Sequence, residues 1–239
     1  MEGPPARRRP PRYPIGGHMA DVVQGLVERF QLRALQDRYD TTFVLGVFAL
    51  LNGFLSIALM AGAALATGQP FVFPSLGPTA FLLFYTPQQA SASPRNTIVG
   101  HLIGALAGYL ALVVFGLTQA GPAVTTGVDS ARVAAAALSL GLTAGLMVWL
   151  RVPHPPAGAT TLIVSLGILT RPDQLAVLML AVVLLVLQGI VINRLAGLDY
   201  PLWAPRPAPP PASLGPATSP PGMAGTASRQ PPDGPQPAA

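Results

Sequence analysis

Arg151-Val152-Pro153-His154-Pro155-Pro156-Ala157-Gly158-Ala159-Thr160-Thr161 interrupts what is otherwise unbroken apolar sequence of the kind that spans a membrane. Its prolines exclude a helix, since each lacks an N–H and pushes the preceding residue out of the helical region. Pro156 can open a new helix, being pre-organised for the first helical position. The amides of Ala157 to Ala159 are then expected to lack partners, with the positive end of the helix dipole directed out beside His154. That is an anion-binding arrangement built almost entirely from backbone. A plain proline-rich turn between two spans would read the same way. What favours the functional reading is a second stretch of similar kind upstream.

Working outward, each break is bounded by longer apolar runs. Thr41 to about Thr67 is a charge-free span long enough to cross with some tilt, and Gly68-Gln69-Pro70 ends it. The following Phe71–Tyr85 run is apolar but short, and Ser75-Leu76-Gly77-Pro78-Thr79-Ala80 breaks its start. The next span runs from about Thr97 to Thr118. Its Gly100, Gly104 and Gly108 form a small-residue ridge that permits close helix approach. A third span, about Ala131 to Leu150, carries a similar ridge at Ala137, Gly141 and Gly145. After the central break come a short segment, Ala157 to Thr170, and a last span, about Gln174 to Leu195.

The expected fold is therefore all-α, a polytopic helical membrane protein of four long spans and two short broken helices in a 3+3 pseudo-repeat. Short interrupted segments in matching positions of two halves point to a transporter site, although two independent kinks would look the same. If the short segments cross, there are six crossings. Arg29, Arg33, Arg38, Arg95, Arg151 and Arg194 then share one side, leaving Arg132 and Arg171 opposite, near Asp129 and Asp173. If they are re-entrant, there are four, and Arg95 and Arg151 change sides. The positive-inside rule favours six, with both termini cytoplasmic.

Of the 239 residues, 51% are hydrophobic and only 10% charged, which with a mean hydropathy of +0.50 excludes an ordinary soluble domain. The absence of cysteine excludes disulfides, thiolate catalysis and thiolate-bound zinc. A net charge of +5 could suggest nucleic acid, but the 14 basic residues are all arginines and cluster in the N-terminal segment and at span ends, where cytoplasmic retention explains them. Residues 1–20 read as a disordered arm without a secretory or twin-arginine signal. Residues 21–40 read as an amphipathic interfacial helix, with Val23, Val27, Phe30 and Ala34 on one face and Arg29, Arg33 and Arg38 toward headgroups. Residues 41–197 form the transmembrane domain, and the proline-rich 198–239 read as a disordered tail.

The chemistry available at depth is neutral or cationic. No carboxylate lies between Asp40 and Asp129 or between Asp129 and Asp173. Carriers of metal or alkali cations need oxygen ligands, usually carboxylates, so a cation substrate is disfavoured and neither metal nor cofactor is expected. For an anion, the two breaks offer amides near Gly77, Pro78 and Pro156 to Gly158, the hydroxyls of Ser75, Thr79, Thr160 and Thr161, and His154, which donates and can titrate. Arg95, His101 and Arg151 are possible accessories, although the arginines also read as interface anchors and His101 as a packing residue. No arginine lies within either break, which suits a small monovalent anion better than phosphate or sulfate. No Ser–His–acid set can be drawn without joining loops from opposite sides, so catalysis is not expected.

Three motifs in order carry a resemblance over about residues 40–195: Ser75-Leu76-Gly77-Pro78-Thr79-Ala80, then Ser93-Pro94-Arg95-Asn96-x-x-x-Gly100-His101, then Arg151-x-x-His154-Pro155-Pro156-Ala157-Gly158-Ala159-Thr160. Together they resemble the HPP family of integral membrane proteins, named for its His-Pro-Pro motif. Its cyanobacterial and chloroplast members are linked to nitrite transport, so the resemblance implies a multi-spanning protein that carries nitrite. Val152-Pro153 departs from the aliphatic residue that commonly precedes the histidine. The expected partners are the lipid bilayer and a small inorganic anion, with no nucleic acid. Homo-oligomers could form through Gly100, Gly104 and Gly108 or through Gly141 and Gly145. The expected location is a bacterial cytoplasmic membrane. The competing reading is a non-transporting scaffold that assembles with partners through its glycine ridges and tails.

Overall fold

The computed structural model describes residues 31–205. The described helices are α1 (Leu32–Gln36), α2 (Thr41–Thr67), α3 (Leu76–Tyr85), α4 (Pro94–Val114), α5 (Ala123–Thr126), α6 (Ser130–Trp149), α7 (Ala157–Ser165) and α8 (Pro172–Leu195). A 3₁₀ turn, Ala90–Ala92, precedes α4. The fold is all-helical, and α2, α4, α6 and α8 are each long and apolar enough to cross a membrane.

The helix ends follow local chemistry. Asp40 caps α2 by accepting from Phe43 N at 2.8 Å, and Asp129 caps α6 by accepting from Arg132 N at 2.7 Å. Ser93 and Pro94 open α4, Pro172 opens α8, and Gly68 closes α2 at φ 67. Arg151 closes the α6 end with φ 55, a conformation uncommon for a side-chain-bearing residue.

Backbone ties show which helix ends lie together. Leu32 N donates to Ala196 O, Arg95 N to Trp203 O, and the Arg95 Nη2 to Arg151 O. The starts of α2 and α4 and the ends of α6 and α8 therefore share one end of the bundle. At the opposite end Ala123 N donates to Leu166 O. The 27 residues of α2 reach about 40 Å across. The chain then returns from Gly68, because Leu83 O of α3 accepts from Asn193 Nδ2 near the end of α8. The first short segment thus runs from one end of the bundle to the other. So does the second: Gly100, Gly104 and Gly108 meet His154, Ala157 and then Val164 in rising order, making α7 parallel to α4. The chain thus runs the length of the bundle six times, and the two halves run in opposite directions. Arg33, Arg38, Arg95, Arg151 and Arg194 gather at one end, with Arg132 and Arg171 at the other.

On α4 the exposed residues Leu102, Leu106, Leu110 and Val113 recur on one lipid-facing stripe, while the remaining faces are buried. Leu76, Leu83 and Phe84 of α3 pack into one cluster with Leu178, Val182 and Leu185 of α8.

Three expectations change. The ridge Gly100, Gly104, Gly108 is occupied from within: a Cβ on each would lie 2.7, 2.6 and 2.7 Å from atoms of His154, Ala157 and Val164. It leaves no surface for a second copy. Gly141, by contrast, has nothing within 4 Å, and Gly145 meets only Trp149 of its own helix. The tail does not leave the fold at 198, because Tyr200 is fully buried and its hydroxyl donates to Ala92 O. The amphipathic helix expected over 21–40 is described only from residue 31, where α1 spans five residues. The arm 1–20, residues 21–30 and the tail beyond 205 lie outside the described residues.

Candidate functional site

The two breaks enter from opposite ends, and side chains from both meet on α4. His101 lies two turns into α4. Its Nε2 is 2.9 Å from Thr79 Oγ1 of the first broken helix, and its Nδ1 is 2.7 Å from Thr160 Oγ1 of the second. His154, from the second break, places Nε2 3.2 Å from His101 Nε2 and 3.4 Å from Thr79 Oγ1, the last long for a hydrogen bond. Its Nδ1 is 2.7 Å from Ser91 O. Thr79, His101, His154 and Thr160 are all completely buried. The imidazole centroids are 4.8 Å apart and tilted by 58°.

The partners assign the hydrogens. A carbonyl only accepts, so His154 Nδ1 carries the proton shared with Ser91 O. Thr79 spends its hydroxyl hydrogen on Ser75 O at 2.9 Å, so toward the histidines its oxygen accepts. His101 Nε2 therefore carries a hydrogen between two acceptors, Thr79 Oγ1 and His154 Nε2. His101 Nδ1 is then a lone pair, and Thr160 donates to it. The neutral cluster is fully matched.

The surroundings fix these groups. Asn96 Nδ2 and Ser93 Oγ both donate to Ala90 O at 2.8 Å, and Tyr200 donates to Ala92 O, so ties on either side hold the turn that presents Ser91 O. Burial pushes the Tyr200 phenol above its ordinary value, which keeps it a donor. Two buried hydroxyls, Ser75 Oγ and Thr97 Oγ1, have no partner; they lie one turn from Thr79 and His101 respectively. A cleft of about 590 Å³, lined by Met147, Val148, Arg151, Pro153 and His154 among others, opens beside the second break.

Other expected site residues lie elsewhere. The amides of Ala157, Gly158 and Ala159 are not bare; they donate to His154 O, Pro155 O and Pro156 O at 3.0, 3.0 and 3.1 Å. The break turns tightly enough to satisfy its own first turn, so any donors it offers come from side chains. Gly77 and Pro78 are exposed, away from the cluster. Pro156 is buried as the residue before α7, and Gly158 packs against Leu140. Thr161 faces α6, 2.8 Å from Thr143 Oγ1, and donates to Ala157 O. Arg95 binds Asn96 Oδ1 and Arg151 O at the arginine-rich end, and Arg151 is exposed there. Sequence reasoning ranked His101 below His154, yet His101 is the hub. The sign available was its helical register: Thr97, Gly100, His101 and Gly104 share the face that meets both breaks. Ser91 was missed, because a backbone acceptor leaves no mark on residue type.

Apolar spans, lipid-facing leucine stripes and two oppositely directed halves define a multi-pass helical membrane protein. The profile described as HPP, transmembrane region, matches residues 40–201, well over half of the chain, and the protein belongs to the HPP family. It is similar to a transmembrane protein of Dictyostelium discoideum, with 29% identity over 161 residues, 65% of this chain and 53% of the relative. A second Dictyostelium discoideum transmembrane protein shares 33% identity over 93 residues, 39% of this chain and 27% of that protein. The chain thus spans about half and about a quarter of these relatives. No solved structure matches.

Proposed function

We propose that this HPP-family protein transports a small monovalent anion, nitrite by family resemblance, through the Thr79–His101–His154–Thr160 cluster. One observation carries the reading: breaks entering from opposite ends of the bundle share a single buried hydrogen-bond network. Short helices meeting at depth recur where transporters hold substrates. Three features favour a small monovalent anion over a cation: hydroxyl and imidazole donors, no carboxylate on any span near the cluster, and no guanidinium inside it. The positive-inside rule makes the arginine-rich end, from which the second break enters, cytoplasmic, together with both termini. A cytoplasmic membrane is the natural location.

The test is nitrite uptake by the reconstituted protein. His154→Ala and Thr79→Val are expected to abolish uptake while the protein elutes and melts as a folded species. Uptake unchanged in both removes the site. The scaffold reading draws on the uncovered Gly141 surface of α6. It requires co-purifying proteins bound at that surface and no flux of any anion.

A further inference from the structure

We infer that the His101–His154 pair takes up one proton together with the anion, making transport an electroneutral symport of one proton with one monovalent anion. This rests on the transport reading above and adds the coupling ion.

Capacity follows from the geometry. In the neutral cluster the two rings hold two hydrogens, on His154 Nδ1 and His101 Nε2, and the second is shared toward His154 Nε2 at 3.2 Å. His101 Nδ1 is the position that can accept another without a clash. Protonated there, it donates to Thr160 Oγ1 across the same 2.7 Å, and the Thr160 hydroxyl changes from donor to acceptor. A further proton would set two N–H groups against each other between the Nε2 atoms. The pair therefore holds one extra proton and no more.

Two links join that proton to an anion. First, the Thr160 hydrogen, displaced from His101, becomes free to donate to a new acceptor. Second, the imidazolium needs negative charge close by, because a buried unpaired ion is costly. The elements that bear the cluster supply none. The first broken helix carries no ionisable group before Tyr85 at its end, and α7 carries none. On α4 there are Arg95 and Tyr109, on α6 Arg132 toward the opposite end, just before the second break Arg151, and on α8 none between Asp173 and Arg194. The turn that presents Ser91 has none. Beyond α8 the segment that packs on this turn carries Asp199, exposed, and Tyr200, whose hydroxyl donates to Ala92 O. Among the described residues no carboxylate lies on the helices and turn that bear the cluster, so proton and anion are each favoured by the other.

The experiment uses the full chain in proteoliposomes with a luminal pH dye and an inward nitrite or nitrate gradient, with protein-free vesicles subtracting nitrous acid permeation. The expected result is one proton entering per anion, accumulation rising about tenfold per unit of inward pH gradient, and no dependence on membrane potential. Anion entry without acidification overturns the coupling and leaves transport standing. No entry of either anion overturns both. Nitrogen-15 spectra of the imidazoles in a His18→Ala background, which retains only this pair, provide a second readout. They should show His154 as the Nδ1–H tautomer, His101 as Nε2–H, and uptake of a single proton. Thr160→Val should move that uptake to lower pH, since the charged form loses the stronger hydrogen bond. Independent uptake of two protons, or an Nε2–H tautomer at His154, refutes the inference.

Discussion

Replacing Gly104 by alanine probes the contact that brings the second break to α4. An added Cβ would stand 2.6 Å from Ala157 O and 2.9 Å from Thr161 Oγ1. Ordinary C···O contacts begin near 3.3 Å, so the helices must separate by about 0.5–1 Å. The carbonyl cannot turn away, since it belongs to α7 and accepts the Thr161 hydroxyl at 3.0 Å. Overpacking of this kind costs ~1–3 kcal/mol. At about 2–4 °C per kcal/mol for a chain of this size, melting should fall by roughly 2–12 °C. Gly141→Ala is the control: nothing lies within 4 Å, and alanine favours a helix by up to ~1 kcal/mol. Thermal unfolding of the purified protein followed by tryptophan fluorescence separates the two, and cross-linking should show no change of oligomeric state in Gly104→Ala. If Gly104→Ala melts with the parent, or no lower than Gly141→Ala, the close approach of α4 and α7 is wrong.

Tyr200→Phe keeps the ring but leaves Ala92 O without its donor, for a loss of ~0.5–1.5 kcal/mol in thermal unfolding. Because burial raises the phenol's folded value, its contribution is complete below the unfolded value of about 10 and fades as pH climbs past it; Tyr200→Phe should lack that alkaline step. Arg132, almost wholly buried, donates to Ser165 O at 3.2 Å and Gly121 O at 2.8 Å, so Arg132→Met forfeits hydrogen bonds to a charged group worth ~1.5–3 kcal/mol each. Hydrogen exchange should quicken at Ala123 and around Leu166; unchanged protection there would show that the guanidinium does not hold this end. The cysteine-free chain also permits single-cysteine labelling. Gln88→Cys should react from the same side as Leu202→Cys, and Gln69→Cys from the other. Gln69 and Gln88 reacting from one side would restore the four-crossing topology.

What the sequence determined by itself was the set of spans, the two breaks and the acid-free interior. These are local quantities. A leucine's transfer into lipid and a proline's missing N–H do not wait for a partner, which is why α2, α4, α6 and α8 and both interruptions were legible residue by residue. Tertiary structure alone decided what the breaks offer and to whom. The Ala157–Ala159 amides close on their own turn, and the Gly100, Gly104, Gly108 ridge faces inward. Tyr200 folds back to hold the turn at Ser91, and His101 becomes the hub between Thr79, Thr160 and His154. The inward ridge and the His101 hub depend on how closely α4 and α7 dock, a distance set by packing between segments some fifty residues apart and written in no single stretch of chain.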